Sequence, residues 1–454
     1  MRVFGPVLGR DPARLATALI LSVGAGGALA LNLPGHLSYD SVVQLAEGRA
    51  GVYSGVHPPV MSWLLGVADG VWPGTALFVT LDVALIFGAL IALARLGPRT
   101  SWRAAPVAVV AIALPQTLVY PGIVWKDVLF AGAMVAGFAA LAAAARVWDS
   151  RRWRNAWLAA ALGLLTLAAL ARQNGGLVLP IAGVAVAAIA ARAGSRRRLA
   201  WGAGFLAAGA ALTLAASAAL ATRLDGTPAM TQAWENLELG DLVAAVARQP
   251  RLQLKALHAQ APEIEARLRT QGVAAMRPDR LDTLDPLQRW VEARDGSAAL
   301  VFDQWRALIL GHPWLYLRVR AEAFRWVFAT PDPARCVMVE TGIDGPADGL
   351  VASHLSPRKD ARDGALEAYA LTFQNTPVSR HVTYAAVAIV LLAWLLRRRA
   401  PADLAVAAML ATALAFAASF FVISIACDYR YLYALDVSTI AAALYAAASA
   451  ERSP

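Results

Sequence analysis

Apolar runs of about 20 residues recur along this chain, separated by short arginine-rich stretches or by longer mixed ones. A helix of that length crosses the hydrocarbon core of a bilayer. Ten spans are predicted, at 14–33, 75–96, 104–121, 127–147, 155–171, 175–192, 200–222, 381–396, 402–425 and 431–449. The first run is too long for a signal-peptide core and lacks an A-x-A site before the polar stretch, so it reads as a retained helix. Between the seventh and eighth spans lies 223–380, where "DLVAAVARQ" and "QLKALHAQAPEIEARLRTQ" have helical spacing and no strand alternation. The expected fold is an all-α polytopic membrane protein. A transmembrane module over 1–222 carries a first external loop at 34–73. A mostly helical external domain follows over 223–380, and C-terminal transmembrane helices over 381–454. "GHPWLYLRVRAEAFRWVF" (311–328) fits a helix in the headgroup layer and a core helix of the domain about equally.

Composition agrees with the pattern. Of 454 residues, 58% are hydrophobic and 16% charged, against about a quarter charged in soluble domains. The net charge of +10 comes from arginine, since lysine occurs only at Lys126, Lys255 and Lys359. The arginines sit beside the spans, in "RLGPRTSWR" (95–103), "RVWDSRRWR" (146–154), "RAGSRRR" (192–198) and "RRR" (397–399), with Arg2, Arg10 and Arg14 before the first. Ten spans put all of these on one side, which the positive-inside rule makes the cytoplasm, so the basic balance speaks for topology and against a nucleic-acid partner. Cys336 and Cys427 are too few for a Cys-rich zinc site or a disulfide framework. Both are external in this topology, and whether they pair is open. With no P-loop, H-E-x-x-H or C-x-x-C, ATP hydrolysis and zinc-peptidase chemistry are unsupported.

This topology gathers the costly residues. Lys126, Asp127, Arg172, Asp428 and Arg430 all fall at or just inside the outer ends of spans. An ionised side chain costs roughly 2.5–3.5 kcal/mol at the centre of an inserted helix. Any one of them could be an interfacial anchor; five on one face point to an outward-facing polar cavity.

The motifs on that face resemble the GT-C superfamily of membrane glycosyltransferases, which includes the protein O-mannosyltransferases and aminoarabinose transferases. The first loop opens with "SYDSVVQLAEG" and reaches a His-Pro-Pro step in "GVHPPVMSWLLG". "IVWKDVLF", "LARQNGGLVLP" and "DYRYLYAL" follow in the family's order. The W-K-D, R-Q-N-G and Y-R-Y steps look closest to a bacterial branch of the superfamily. Where the family carries adjacent carboxylates at the loop start, this chain has Asp40–Ser41, with Glu47 seven residues on.

The resemblance implies a GT-C-like bundle in a bacterial cytoplasmic membrane, its active site facing the exterior. Its reaction would move a sugar from a polyprenyl-phosphate donor to a lipid, glycan or protein acceptor in cell-envelope glycan biosynthesis. Asp40 would then be the general base, the alternative being an N-cap of a surface helix over 41–47. Lys126, Arg172 and Arg430 would bind the donor phosphate. Tyr39, His57, Asp127, Asn174 and Tyr431 would contact donor or acceptor. No cofactor is required; a divalent cation is left open, with no ligand set to support it. The rival readings are a transporter or flippase, a non-catalytic assembly subunit, and a ligase or polymerase acting on polyprenyl-linked glycans.

Overall fold

A computed structural model describes residues 11–226, 229–294 and 296–449, with backbone alone at 229–233 and 282. Arg2 and Arg10 of the orientation argument, and the outermost ends of the two transmembrane modules, lie outside the described residues.

The chain opens with α1 (Pro12–Asn32), α2 (Tyr39–Ala50), α3 (Pro59–Val71) and α4 (Ala76–Ala94). α5 (Ala104–Ala113), α6 (Pro115–Leu118), α7 (Lys126–Arg146), α8 (Arg151–Ala171), α9 (Val178–Arg192) and α10 (Arg198–Ala221) follow. The region after α10 carries α11 (Ala229–Arg248), α12 (Lys255–Gln260), α13 (Pro262–Arg267), α14 (Val273–Ala275) and α15 (Asp285–Glu292). It continues with α16 (Ser297–Gly311), α17 (Pro313–Ala329), α18 (Ala347–Ala352) and α19 (Ala361–Thr372). The chain returns to the bundle through α20 (His381–Arg398), α21 (Pro401–Ile423) and α22 (Tyr433–Ala448). The fold is all-α, and the described residues pair in β fashion only at isolated bridges.

Among the described residues nine helices are long and apolar enough to cross a membrane. The tenth expected span, 104–121, is not one straight helix: α5 and the segment from Pro115 to Gly122 meet at 75°. The break is local chemistry. A proline ring clashes with a helical residue before it, and Leu114 sits at φ −74°, ψ 140°, which stops α5 and restarts the chain in a new direction. α7 lies at the centre, buried along most of its length against α4, α8, α21 and α22. Its "AGAMVAGFAALAAAA" face suits that place, because small residues let helix backbones approach closely where no hydrophobic force drives them together.

A second apolar cluster forms above the bundle around Leu242, Val243, Leu257, Leu268 and Leu308, from α11, α12, α16 and the turns between them. One link to the bundle is Arg320 of α17, which is fully buried. The guanidinium donates to Asp241 Oδ1 at 3.0 Å, to the Phe421 carbonyl at 3.0 Å and to the Ser424 carbonyl at 2.8 Å. A buried charge is tolerated only when paired and hydrogen-bonded in this way. Of the two readings of 311–328, one face of α17 follows the core reading, with Val319, Ala323 and Val327 buried, while Trp314 stays 77% exposed.

Candidate active site

Four connections meet at the end of the bundle nearest the second cluster, joined by short backbone bridges. His36 N–H donates to the Gly122 carbonyl and Val124 N–H to the His36 carbonyl, both at 2.9 Å. Leu37 exchanges the same kind of bonds with Gly342 and Asp344, also at 2.9 Å. Val337 N–H donates to the Cys427 carbonyl at 3.0 Å and Tyr429 N–H to the Val337 carbonyl at 2.9 Å. Cys336 and Cys427 are disulfide-bonded across this last junction. The loop between α1 and α2, the entry to α7, the 336–344 strap and the entry to α22 thus hold one another in register.

His36 is the rivet. It is fully buried, accepts from Gly342 N–H at Nδ1 (3.0 Å) and faces Asn32 Oδ1 with Nε2 (3.0 Å). An amide can only donate, so Nδ1 is unprotonated and the ring neutral. Gly122 is required here, because a Cβ would lie 2.1 Å from that of Asn32.

Asp40 occupies the first turn of α2, not its cap. The N-cap is Ser38, whose hydroxyl receives Trp125 Nε1–H at 2.9 Å. The expectation of a surface helix over 41–47 capped by Asp40 is corrected on this point: the helix starts at Tyr39 because Ser38 already takes the capping position. Asp40 is free to face the junction, where Arg430 Nη1 lies 2.8 Å from Oδ2 and His57 Nε2 lies 3.8 Å from Oδ1.

Behind His57 stands Lys126, its Nζ 2.8 Å from Nδ1. A charged ammonium donates, so the imidazole is neutral with its proton on Nε2, toward Asp40. Burial opposes ionisation of Asp40, but the charges of Arg430 and Lys126 outweigh it and hold the carboxyl well below the usual range. Burial and the Lys126 charge push His57 down to about 3, and burial takes His36 down to about 4.

The His57 loop is held over Asp40 by neighbours the sequence left unassigned. Glu47 accepts from Ser54 N–H at 3.0 Å and from the Ser62 hydroxyl at 2.6 Å, fastening the loop to α2 and α3. α2 and α3 cross in backbone contact at Gly48 and Gly66, where a Cβ would meet a carbonyl oxygen at 2.4 Å. Ser41, in the place of the second carboxylate, donates to the Val124 carbonyl at 2.5 Å and ties α2 to the entry of α7.

Deeper in, Asp127 and Arg172 form a buried pair at 2.5 Å. Arg172 lies over the rings of Phe416, Phe420 and Tyr431 at 5.5–5.9 Å. Arg430 lies over Trp125 at 5.3 Å and Tyr431 at 5.6 Å. Weakly hydrated guanidinium planes stack well on aromatic faces, which keeps both cations buried and in place. Asn174 donates to Ser419 Oγ at 2.7 Å, beside the same aromatics of α21. Asp127 Oδ2, Arg172 Nε and Asn174 Oδ1 are buried with no protein partner. Unsatisfied buried polar atoms are rare in folded proteins, and three together leave hydrogen-bonding capacity for a polar ligand.

Of the residues singled out in the sequence, Asp40, His57, Lys126, Asp127, Arg172, Arg430 and Tyr431 belong to this cluster and Asn174 borders it. Tyr39 is 64% exposed, outside the paired groups. Asp127 pairs with Arg172, and His57 is bonded to Lys126. Sequence reading missed Trp125 and Phe420, although Trp125 stands in the W-K-D step. It also missed Glu340, whose carboxyl is pushed up by burial, against Arg430 and with the charges of Asp428, Asp344 and Asp40. Nothing in "VMVETG" marks Glu340; it reaches the site only through the strap. Among the described residues no group of three His, Cys, Asp or Glu is arranged to hold a metal ion.

The neutral histidines give the fold an acid limit. Their folded-state values lie below the unfolded 6.5, so the unfolded chain binds more protons as pH falls, and each pH unit below 6.5 costs about 1.4 kcal/mol per histidine until the folded value is approached. Thermal midpoints in detergent are expected to fall steeply between pH 6.5 and 4.5, with a shallower slope in His57→Asn. Equal slopes would mean that His57 does not resist protonation in the folded protein.

Over 94% of its length the chain is similar to the archaeal oligosaccharyltransferase AglB from Archaeoglobus fulgidus, solved in complex with an inhibitory peptide and a dolichol-phosphate, at 16% identity and a TM-score of 0.41. The apo form of the Archaeoglobus fulgidus oligosaccharyltransferase matches over the same share at 16% identity and a TM-score of 0.40. The chain spans about half the length of these solved structures. No protein-family model and no curated protein matches it.

Proposed function

We propose that this protein is a GT-C-type membrane glycosyltransferase that moves a sugar from a polyprenyl-phosphate donor to an acceptor hydroxyl at the outer face of a bacterial cytoplasmic membrane. The observation that carries the reading is the meeting of Asp40 with Arg430 and, behind His57, Lys126, next to the Arg172–Asp127 pair, in a single buried cluster at one end of a membrane bundle. That is the set a phosphate-leaving group transfer needs: a base on one side and preorganised cations on the other. The disulfide supports an oxidising compartment for this end.

In the reaction the acceptor oxygen attacks the anomeric carbon while the bond from that carbon to the phosphate oxygen breaks. The hydroxyl proton passes to Asp40, and polyprenyl phosphate departs with the bonding pair. Asp40 is a poor base while Arg430 holds it. Donor phosphate, a diester with one negative charge that gains a second as the sugar leaves, competes with Asp40 for Arg430, so donor binding draws the guanidinium away, frees the carboxylate and raises its basicity in one movement. Arg172, kept flat by Phe420 and Tyr431, and Lys126, backed by His57, stabilise the charge growing on the leaving phosphate. A flippase reading shares the lipid-borne ligand but needs no base beside the cations, whereas a glycan ligase moves the same hydroxyl proton and differs in the size of the glycan transferred.

Mass spectrometry of lipids that co-purify from the native host tests this. The wild type is expected to retain a polyprenyl phosphate bearing a sugar, and the Lys126→Gln/Arg430→Gln variant to lose it. A bound solute of another class, retained by both, would overturn the reading.

A further inference from the structure

Far from the charged cluster, at the opposite end of the bundle, α8, α9 and α10 enclose a groove of about 450 Å³. Its walls are Leu158, Leu162, Val186, Trp201 and Phe205, with Arg197 at one edge. The groove follows from how the three helices pack. α9 and α10 touch at backbone distance where Gly183 and Gly202 face each other, a Cβ on Gly202 meeting the Gly183 carbonyl at 2.5 Å. Two positions on, Gly204 faces the other way, and a Cβ there would meet nothing within 4 Å. The close crossing on one side leaves the space between α8 and α10 unfilled.

Charge marks one end of this apolar slot. Arg197 is exposed and has no side-chain partner among the described residues. Arg154 is held beside the groove, donating to the Trp148 carbonyl at 3.1 Å with its guanidinium 4.8 Å over the ring of Trp201. The flanking segments 146–154 and 192–201 hold eight arginines and a single carboxylate, Asp149. An apolar channel opening onto the lipid-facing side of α10, closed at one end by fixed and unpaired cations, matches one kind of occupant: acyl chain in the slot, phosphate at the arginines.

We infer that the groove between α8 and α10 is a binding site for an anionic phospholipid of the leaflet on the arginine-rich side. The inference is independent of the transferase reading. Arginines at membrane boundaries attract anionic lipids by charge alone. A site differs by needing the slot as well, and the test turns on that difference.

The experiment is native mass spectrometry of the full chain in nanodiscs made from equal parts phosphatidylglycerol and phosphatidylcholine, followed by stepwise delipidation. The wild type is expected to keep one phosphatidylglycerol after the annular lipids are gone. Gly204→Phe and Ala200→Leu fill the slot and should each lose that lipid; two filling variants guard against one that fails to fold. Arg197→Gln should bind phosphatidylcholine as readily as phosphatidylglycerol, about a tenfold loss of preference. Arg152→Gln, on the same arginine-rich face but not lining the groove, should behave as wild type. Four results would overturn the inference: retention by both filled variants, an equal loss in Arg152→Gln and Arg197→Gln, no lipid preference in the wild type, or a polyprenyl phosphate in place of the phospholipid.

Discussion

Asp40→Asn is expected to lower sugar transfer by about 10²–10⁴-fold, the range general-base assistance supplies, while donor binding persists. The side chain keeps its shape and its place in the first turn of α2, so the helix start at Ser38 is undisturbed. What changes is charge. The amide cannot take the acceptor proton, and it no longer holds Arg430, which the native carboxylate grips at 2.8 Å. The released guanidinium should favour donor phosphate, so the polyprenyl-linked sugar should be retained or enriched in the purified variant. This pairing of lost turnover with undiminished donor separates a base from an anchor. If Asp40 only positioned Arg430, the variant would bind donor more weakly, with a lower thermal midpoint and little change in turnover at saturation. That outcome would move the base elsewhere, and Glu340, close enough to feel the charge of Arg430, would be the next residue to replace.

Arg172→Gln is expected to cost about 3–5 kcal/mol of stability, since it leaves the Asp127 carboxylate buried and alone. Both side chains are almost inaccessible, and Asp127 Oδ2 already has no protein partner. The double variant Asp127→Asn/Arg172→Gln removes the stranded charge and should recover most of the midpoint. Activity should not return with it, because the cation proposed for the donor phosphate is still missing. Thermal unfolding in detergent and transfer assays on the three proteins decide between the roles. Recovery of both in the double variant would make the pair purely structural. A single variant as stable as wild type would show that Asp127 finds another partner or takes a proton.

Much of this was legible beforehand because the membrane makes sequence unusually explicit. A charge in an apolar run is expensive wherever it sits, so Lys126, Asp127, Arg172 and Arg430 stood out one by one, and span counting put them on a common face. Pairing was not legible: the chain does not say that Arg430 reaches Asp40 rather than Asp428 alone, or that Lys126 backs His57. Those choices depend on how the four connections bridge one another, through backbone bonds that carry no side-chain signature. The bend at Leu114 was written in Leu-Pro but hidden by apolar residues on both sides of it. Glu47 had no assigned role; its serine partners at 54 and 62 give it one in loop closure. Glu340 could not have been found, since its approach depends on a strap whose course is set by His36 and the disulfide.

The junction that joins Val337 to Tyr429 also has a meaning for biosynthesis. Asp40 leaves the ribosome long before Arg430, so a chain cut short between them holds the carboxylate without the guanidinium that pairs with it. Only when the entry to α22 has been made do both halves of the cluster exist, and the same segment brings Cys427 to Cys336. Oxidation of that pair is therefore a covalent record that the entry to α22 has met the 336–344 strap. A gel shift after thiol alkylation would tell molecules with this junction closed from those in which it is open.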